Sequence, residues 1–293
     1  MCFADESVLG VTHFHSDRTM FAPPSSARSK EAAIGSDSTV SAVIPTLNES
    51  KCIANTLRHL KQSQPPLHEM VVVDGGSVDD TVARAKEQGA RVVMSRKRGR
   101  AAQMNAGAKE ATGEVLWFVH ADTLPPMDGV KHVRQTLRHP QTVLGGFLPK
   151  LMHNQTTYWL LSFHNLVKTY YAPMVARPLS FARGMRLLFG DQAMFCRKAD
   201  FEALGGFNEK LPIMEDADLC LRMHNRWGNQ WNAPKGRIKM VNRVAETSAR
   251  RIAAWGNLRA TQIHFIIALR WYAGASSEEL CNLYRSMYTD DFR

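Results

Sequence analysis

Cysteine is used sparingly in this chain, and never in pairs. Cys2, Cys52, Cys196, Cys220 and Cys281 lie far apart in the 293 residues, and none belongs to a Cys-x-x-Cys pair that could hold zinc, an iron–sulfur cluster or a redox disulfide. A reducing, cytoplasmic setting is therefore expected. Long apolar runs are also missing. A membrane span needs about 20 predominantly apolar residues, whereas the longest uncharged run, 151–167, is interrupted by His153, Asn154, Gln155, Thr156, Thr157, His164 and Asn165. Neither a Walker A loop nor a G-x-G-x-x-G turn occurs, so the ATPase and dinucleotide-dehydrogenase readings drop. Acids are absent from Arg91 to Lys109, which holds six basic residues, and only Glu246 opposes the ten basic residues between Arg222 and Trp271. The whole chain sets 37 Lys+Arg against 27 Asp+Glu, a net +10. Such a balance favours an anionic partner: nucleic acid, an acidic membrane surface or a phosphorylated small molecule.

What is present suits a folded α/β protein, with 44% hydrophobic and 22% charged residues. Residues 1–38 are rich in Ser and Ala, contain Asp5, Glu6, Asp17, Glu31 and Asp37, and lack an apolar h-region. They read as a flexible extension and not as a secretory signal, with organellar targeting left open. From Val40 onward, short β-branched runs alternate with helix-like stretches, the pattern of βαβ units and a mostly parallel sheet. Strands are predicted at Val40–Pro45, Met70–Val73, Arg91–Met94 and Val115–Val119, with helices at about 49–62, 79–88 and 101–111 between them. The predicted organisation is an extension over 1–38, a catalytic-type domain over 39–240 and a helical segment over 241–293.

Ligands of open parallel sheets bind beyond the carboxyl ends of the strands, and the polar clusters stand there. The first strand runs into Pro45-Thr46-Leu47-Asn48-Glu49 and the second into Asp74-Gly75-Gly76-Ser77-Val78-Asp79. Glycines there allow a sharp turn or a close ligand approach, and the acids can accept from a base or ribose; the plain alternative is helix capping by Ser77 or Asp79. Basic Arg96-Lys97-Arg98-Gly99-Arg100 precedes a helix whose N-terminus could help neutralise a pyrophosphate, although a solvated charge run would look the same. His120-Ala121-Asp122 follows an apolar strand and puts Asp122 where a divalent ion could bridge phosphate oxygens; a turn-capping Asp is the alternative. Glu215-Asp216-Ala217-Asp218 occupies a helix's first turn, where acids serve the helix dipole or, in a cleft, act as a general base.

Taken together and in order, these motifs resemble family 2 glycosyltransferases of the GT-A fold, from about Thr39 to the end of the chain. Val43-Ile44-Pro45-Thr46-Leu47-Asn48-Glu49 resembles the opening nucleotide loop, Val73-Asp74-Gly75-Gly76-Ser77 the second nucleotide segment, and Gly99-Arg100 through Asn105-Ala106-Gly107-Ala108 the helix facing the diphosphate. His120-Ala121-Asp122 stands in place of Asp-x-Asp, and Glu215-Asp216 in place of the Glu-Asp pair. The His120-Ala121-Asp122-Thr123 tetrad, Gly190-Asp191-Gln192 and the Arg250-Arg251…Trp255-Gly256…Arg259 tail resemble the radical-SAM/selenodomain-associated subgroup.

The resemblance implies transfer of one sugar from a nucleoside-diphosphate sugar, with uridine the expected base, to an acceptor hydroxyl with inversion. It implies Thr46, Glu49 and Asp74 at base and ribose and Arg100 and Asn105 facing the diphosphate, with Pro45, Asn48, Gly75 and His120 among the donor-binding positions. Asp122 would bind Mg²⁺ or Mn²⁺, Asp216 beside Glu215 would be the base, and Asp191 and Gln192 would touch donor sugar or acceptor. His120 replaces the first acid of the family's metal motif, leaving Asp122 as the expected protein ligand. The Gln-x-x-Arg-Trp signature of processive synthases is absent. An aromatic stripe through Trp255, Leu258, Ile263, Phe265, Ile266, Ile267, Leu269, Trp271 and Tyr272, and a second stretch at Tyr158, Trp159 and Phe163, read as core packing or as an interfacial surface. A lipid-linked acceptor, peripheral membrane contact and a homo-oligomer stay open; nucleic acid is not expected. Two rivals remain at this point. A nucleotidyltransferase would need a Gly-rich basic loop where Pro45–Glu49 stands, and a basic lipid- or RNA-binding module would leave the strand-end acids unexplained.

Overall fold

The computed structural model describes residues 34–153, 156–228, 232–250, 257–272 and 274–287. The predicted extension, apart from 34–38, lies outside the described residues, as do Arg251, Trp255 and Gly256 of the tail. The four predicted strands form as β1 (Val40–Thr46), β2 (Glu69–Asp74), β3 (Arg91–Met94) and β4 (Val115–Phe118). Between them run α1 (Ile53–Lys61), α2 (Thr81–Glu87) and α3 (Arg100–Glu110). Every residue of β1 and β4 is buried, as a strand covered on both faces requires. Because successive side chains point to opposite faces, Val43, Val71, Val73, Leu116 and Phe118 enter one core with Met104 of α3. Their neighbours Ala42, Ile44, Val72, Val115 and Trp117 enter the other with Ile53 and Leu57 of α1.

Beyond β4 the chain adds β5 (Thr123–Leu124), α4 (Gly129–Leu137), β6 (Thr142–His153), β7 (Thr156–Thr157), α5 (Trp159–Ala176) and α6 (Pro178–Ala182). Then follow a 3-10 turn at Gly190–Gln192, β8 (Phe195–Arg197), α7 (Lys198–Ala203), α8 (Glu215–His224), β9 (Arg237–Ser248), α9 (Asn257–Tyr272) and α10 (Ser277–Met287). Sheet order is β3-β2-β1-β4-β8-β6-β9-β5, with β7 on β6. Pairing is parallel from β3 to β4, antiparallel on both sides of β8, and parallel again between β6 and β9. The second half is thus mixed where the sequence pattern implied a mostly parallel sheet. β9 also runs through position 240, so 241–248 is strand and not helix, because its residues continue the long β6 pairing up to Met152↔Ser248. In the tail, Ile263, Ile267, Trp271 and Leu280 pack into the first core, while Phe265, Ile266 and Leu269 stay exposed. No helix among the described residues is long and apolar enough to cross a membrane.

Parallel register brings Thr46 opposite Asp74, so the first two polar loops leave the sheet side by side. Gly107 lets α3 lie close against this part of the sheet: a Cβ there would sit 2.4 Å from Val43 Cγ1 and 2.7 Å from Val73 Cγ2. Gly107→Ala gains about 1 kcal/mol of helix propensity but overpacks two valines at a cost of about 1–3 kcal/mol. A lower urea midpoint is expected, and an unchanged or raised midpoint would show that α3 is free to move off the strands.

Candidate active site

The first two loops are zipped together by their own polar groups. Asn48, held at a φ of 54°, accepts from the Val78 N–H through Oδ1 at 3.0 Å, and its own N–H donates to Ser77 Oγ at 2.8 Å. Asp74 is fully buried and accepts from the N–H groups of Gly76 and Ser77 and from the hydroxyls of Thr46 and Ser77, at 2.5–3.1 Å. A carboxylate offers about four acceptor positions, and Asp74 uses four contacts to build the turn and tie it to Thr46. Asp79 likewise ties the Ser50 and Thr81 N–H groups together, the capping alternative. Gly75 is small because Gln103 Nε2 would lie 2.9 Å from a Cβ there; that amide caps the carbonyls of Thr46 and Val73 at 2.6 and 2.9 Å. Pro45 is buried inside β1, opposite Val73. The sequence reading missed Gln103, whose signal is a polar side chain on the buried face of α3.

Two expected diphosphate residues are engaged elsewhere. Asn105 gives both ends of its amide to the loop after α7, accepting from the Phe207 N–H at 2.8 Å and donating to the Phe207 carbonyl at 2.9 Å and to Glu209 at 3.1 Å. It anchors that loop instead of facing a ligand. Arg100, at the start of α3, is half-exposed and pairs through Nε and Nη2 with the buried carboxylate of Glu215. Lys97, in the same basic run, pairs with Glu209 at 2.7 Å.

Four elements converge on Asp216. It lies 4% exposed in the first turn of α8, following Met214 at a φ of 65°. Its Oδ2 accepts from the Gly190 N–H at 2.8 Å, and among the described residues Oδ1 has no hydrogen-bond partner. Burial, then the neighbouring Glu215 charge, push its carboxyl up to about 7, against the pull of Arg100 and the Gly190 N–H. Gly190 can carry no side chain, because a Cβ would meet the His120 ring at 2.2 Å. Next to it, Asp191 accepts from Asn165 of α5 at 2.5 Å. Gln192 is buried and spent on structure, accepting from the Phe189 N–H and donating to Thr169. Lys168, also on α5, stands over the Phe189 ring at 4.1 Å; burial lowers its ammonium, and Asp191 and Asp216 draw it back up. The sequence reading missed Lys168, although it is the only charged residue between Lys150 and Arg177.

Asp122 sits 19% exposed after β4 and borders a hollow of about 330 Å³ with Lys51, Thr56, Met152 and Glu246. Arg250, at the end of β9, reaches back across the sheet to pair with Glu49 and, at 3.6 Å, with Asp122. The sequence reading named it only within the Arg250-Arg251…Trp255-Gly256…Arg259 tail motif and gave it no contact with Glu49 or Asp122. The described residues contain no group of three or more His, Cys, Asp or Glu able to hold a metal unaided. A single carboxylate at an open hollow fits a hard cation of the magnesium type, which takes one or two carboxylates and completes its shell with substrate phosphates and water.

Comparison with known proteins gives this site a family setting. The family model for Glycosyl transferase family 2 matches residues 41–202. Glucosyl-3-phosphoglycerate synthase of Mycolicibacterium smegmatis is 35% identical over 115 residues, 39% of this chain and 35% of that protein. A PGL/p-HBAD biosynthesis glycosyltransferase of Mycobacterium bovis is 28% identical over 62% of this chain and 68% of its own. The match spans only about a third of the first curated relatives' length. Among solved structures, the Mycobacterium tuberculosis glucosyl-3-phosphoglycerate synthase with Mn²⁺, uridine diphosphate and glucosyl-3-phosphoglycerate superposes with a TM-score of 0.56 at 20% identity, covering 82% of this chain and 81% of the other. A mannosyltransferase from Pyrobaculum calidifontis with GDP-mannose and Mn²⁺ reaches 0.60 at 18% identity, covering 85% and 74%. At such identities the structures show a common fold.

Contact between the Gly190 turn and His120 is open to test. Gly190→Ala should cost about 1–3 kcal/mol by overpacking, and His120→Ala in the same chain should restore much of it. Urea unfolding of the two single variants and the double variant measures the coupling; simple additivity would mean the ring and the turn do not touch.

Proposed function

The chain belongs to glycosyl transferase family 2, and from that premise we propose that it moves a single sugar from a nucleoside-diphosphate sugar to an acceptor hydroxyl with inversion, Asp216 acting as the base. One observation supports this most directly: Asp216 is a buried carboxylate with one oxygen fixed by the Gly190 N–H and the other without a protein partner. A group held this way can accept one proton in one direction, which is what a general base must do. The acceptor O–H proton passes to Asp216 Oδ1 as the acceptor oxygen attacks the anomeric carbon. On the opposite side the bond to the diphosphate breaks, and the nucleoside diphosphate leaves with the electron pair.

Around that carboxylate each neighbour has a separate task. Arg100 neutralises Glu215, so two adjacent acids do not both repel the incoming oxygen nucleophile. Arg250 and Asp122 mark the diphosphate end, where a divalent ion held by Asp122 would supply positive charge for the leaving group. Arg250 adds a fixed guanidinium there, suited to phosphate oxygens. Uridine is the proposed base, in line with the UDP-bound form of the mycobacterial synthase. Within the family we propose the radical-SAM/selenodomain-associated subgroup, on the resemblance of the His120-Ala121-Asp122-Thr123 tetrad and Gly190-Asp191-Gln192, whose leading residues His120 and Gly190 are in contact.

Asp216→Asn should still bind donor product while turnover falls by at least about a hundredfold. In the unsubstituted protein, kcat/KM should rise tenfold per pH unit below about 7 and level off above it, because the base works only when ionised. Retained turnover in Asp216→Asn would remove it from the base role. Calorimetric titration with UDP, GDP and CDP, with and without Mn²⁺, tests the donor end. Binding of one nucleotide that strengthens with the metal and is lost in Asp122→Ala is expected; binding unchanged by Asp122→Ala would put the diphosphate elsewhere.

A further inference from the structure

Helix α5 turns two unlike faces to its surroundings. Inward it sends Asn165 to Asp191, Thr169 to Gln192 and Lys168 toward Asp191 and Asp216. Its outward face holds Trp159, Leu160, Phe163, Met174 and Val175, which are 73%, 62%, 62%, 49% and 75% exposed. At a period of 3.6 residues these positions fall on one side of the helix, with half-buried Leu166, Val167 and Tyr170 among them, half-buried Tyr171 and His164 toward the Val175 edge and Lys168 just beyond it; the arc holds no Lys, Arg, Asp or Glu. Leu166, Val167 and Tyr170 also line an apolar hollow of about 490 Å³ with Leu148, Met240 and Asn242. Soluble surfaces rarely leave an apolar face of this extent open.

Charge selects the occupant. Between Gly129 and Gly190 the chain has eight Lys and Arg residues and no acid. Of the described elements in contact with α5, β6, α6 and α9 contain no acid; Asp191 of the Gly190–Gln192 turn lies on the inward side, bonded to Asn165, and Glu246 of β9 is paired with Lys150. Arg177 stands exposed at the end of α5, and Arg186 lies over the Phe181 and Tyr170 rings at 4.0 and 5.4 Å. A second copy paired face to face would set these cations against their own equivalents, with no carboxylate on α5 or α6 to neutralise them. An anionic lipid surface meets both needs: it accepts aromatic and aliphatic side chains at the acyl boundary and the arginines among its headgroups.

We propose that the outer face of α5 docks on an anionic bilayer, and that the acceptor is a lipid-borne hydroxyl delivered along this helix to Asp216. The second half rests on the transferase reading; the docking itself does not. Sedimentation of the full chain with phosphatidylglycerol-containing vesicles, against phosphatidylcholine alone, reads docking without donor or acceptor. Co-sedimentation with the anionic vesicles is expected, weakening with salt, and falling by about tenfold or more in Phe163→Glu/Val175→Glu. Both side chains are exposed, so circular dichroism and UDP titration of the variant should match the parent. Absence of vesicle binding, or binding indifferent to the two substitutions, overturns the docking. So does light scattering that finds a dimer in the parent and a monomer in the variant. Docking with loss of UDP binding would leave the surface standing and sink the transferase reading instead.

Discussion

The hydrogen bond from the Gly190 N–H to Asp216 is the constraint on which the site depends. It ties a carboxylate in the first turn of α8 to the turn that follows α6, and it requires a residue without a side chain because the His120 ring fills the space above it. One contact thereby sets three strand- and helix-ends relative to one another. The arrangement is costly, since a buried polar atom without a partner typically costs about 1–3 kcal/mol. Non-glycine residues in the left-handed region, uncommon in general, mark the same neighbourhood: Asn48 in the first loop, Ala193 beside the turn and Met214 immediately before Glu215. Backbone strain of this kind persists where surrounding packing over-determines it. Trp117 of β4, buried and donating its indole N–H to the Ala193 carbonyl at 3.0 Å, is part of that packing.

Electrostatics divides the site into two ends. At one end Arg100 takes up the charge of Glu215 and leaves Asp216 as the carboxylate whose proton affinity burial controls. The helix dipole of α8 favours ionisation there, yet desolvation outweighs it. At the other end Arg250 shares one guanidinium between Glu49 and Asp122, joining residues 201 positions apart in the chain. This second pairing closes the sheet functionally, since β9 would otherwise end far in sequence from the loop after β1. It also keeps a positive charge beside Asp122.

Legibility in the sequence followed the range of the forces involved. The β1 to β4 half was readable because local periodicity decides it: each strand is an apolar run closed by a polar loop, and each helix presents an apolar stripe. Asp216, Glu215 and Asp122 could be singled out because carboxylates at strand ends or in a first helical turn are conspicuous. What could not be read was commitment. Asp74, Asn105 and Gln192 were read as ligand contacts, and the structure also gives each a share in the framework: Asp74 holds its own turn and Thr46, Gln192 holds the Phe189 N–H and the Thr169 hydroxyl, and Asn105 holds the distant Phe207 backbone, a property of tertiary placement. Lys168 was overlooked, and Arg250 was noted only as part of its tail motif, for the converse reason: neither carries a local sign of the acids it meets, and only the packing of α5 and the β6–β9 pairing bring them inward.

The two faces of α5 follow from one physical requirement. A wall beside Asp216 has to exclude water, or the carboxylate would return to its ordinary proton affinity, and under the proposed function it would also admit the acceptor hydroxyl. A helix achieves the first by burying Leu161, Asn165, Thr169 and Ala172 against the sheet. Such burial uses less than half of the helix circumference, and the remaining arc could have been polar at no cost to the site. It is instead mostly apolar from Trp159 to Val175, with His164 inside it, and the chain between Gly129 and Gly190 contains no acid. A polar arc would have been sufficient for a wall facing water, so the apolar arc and the missing acids are properties of the surface that the wall meets.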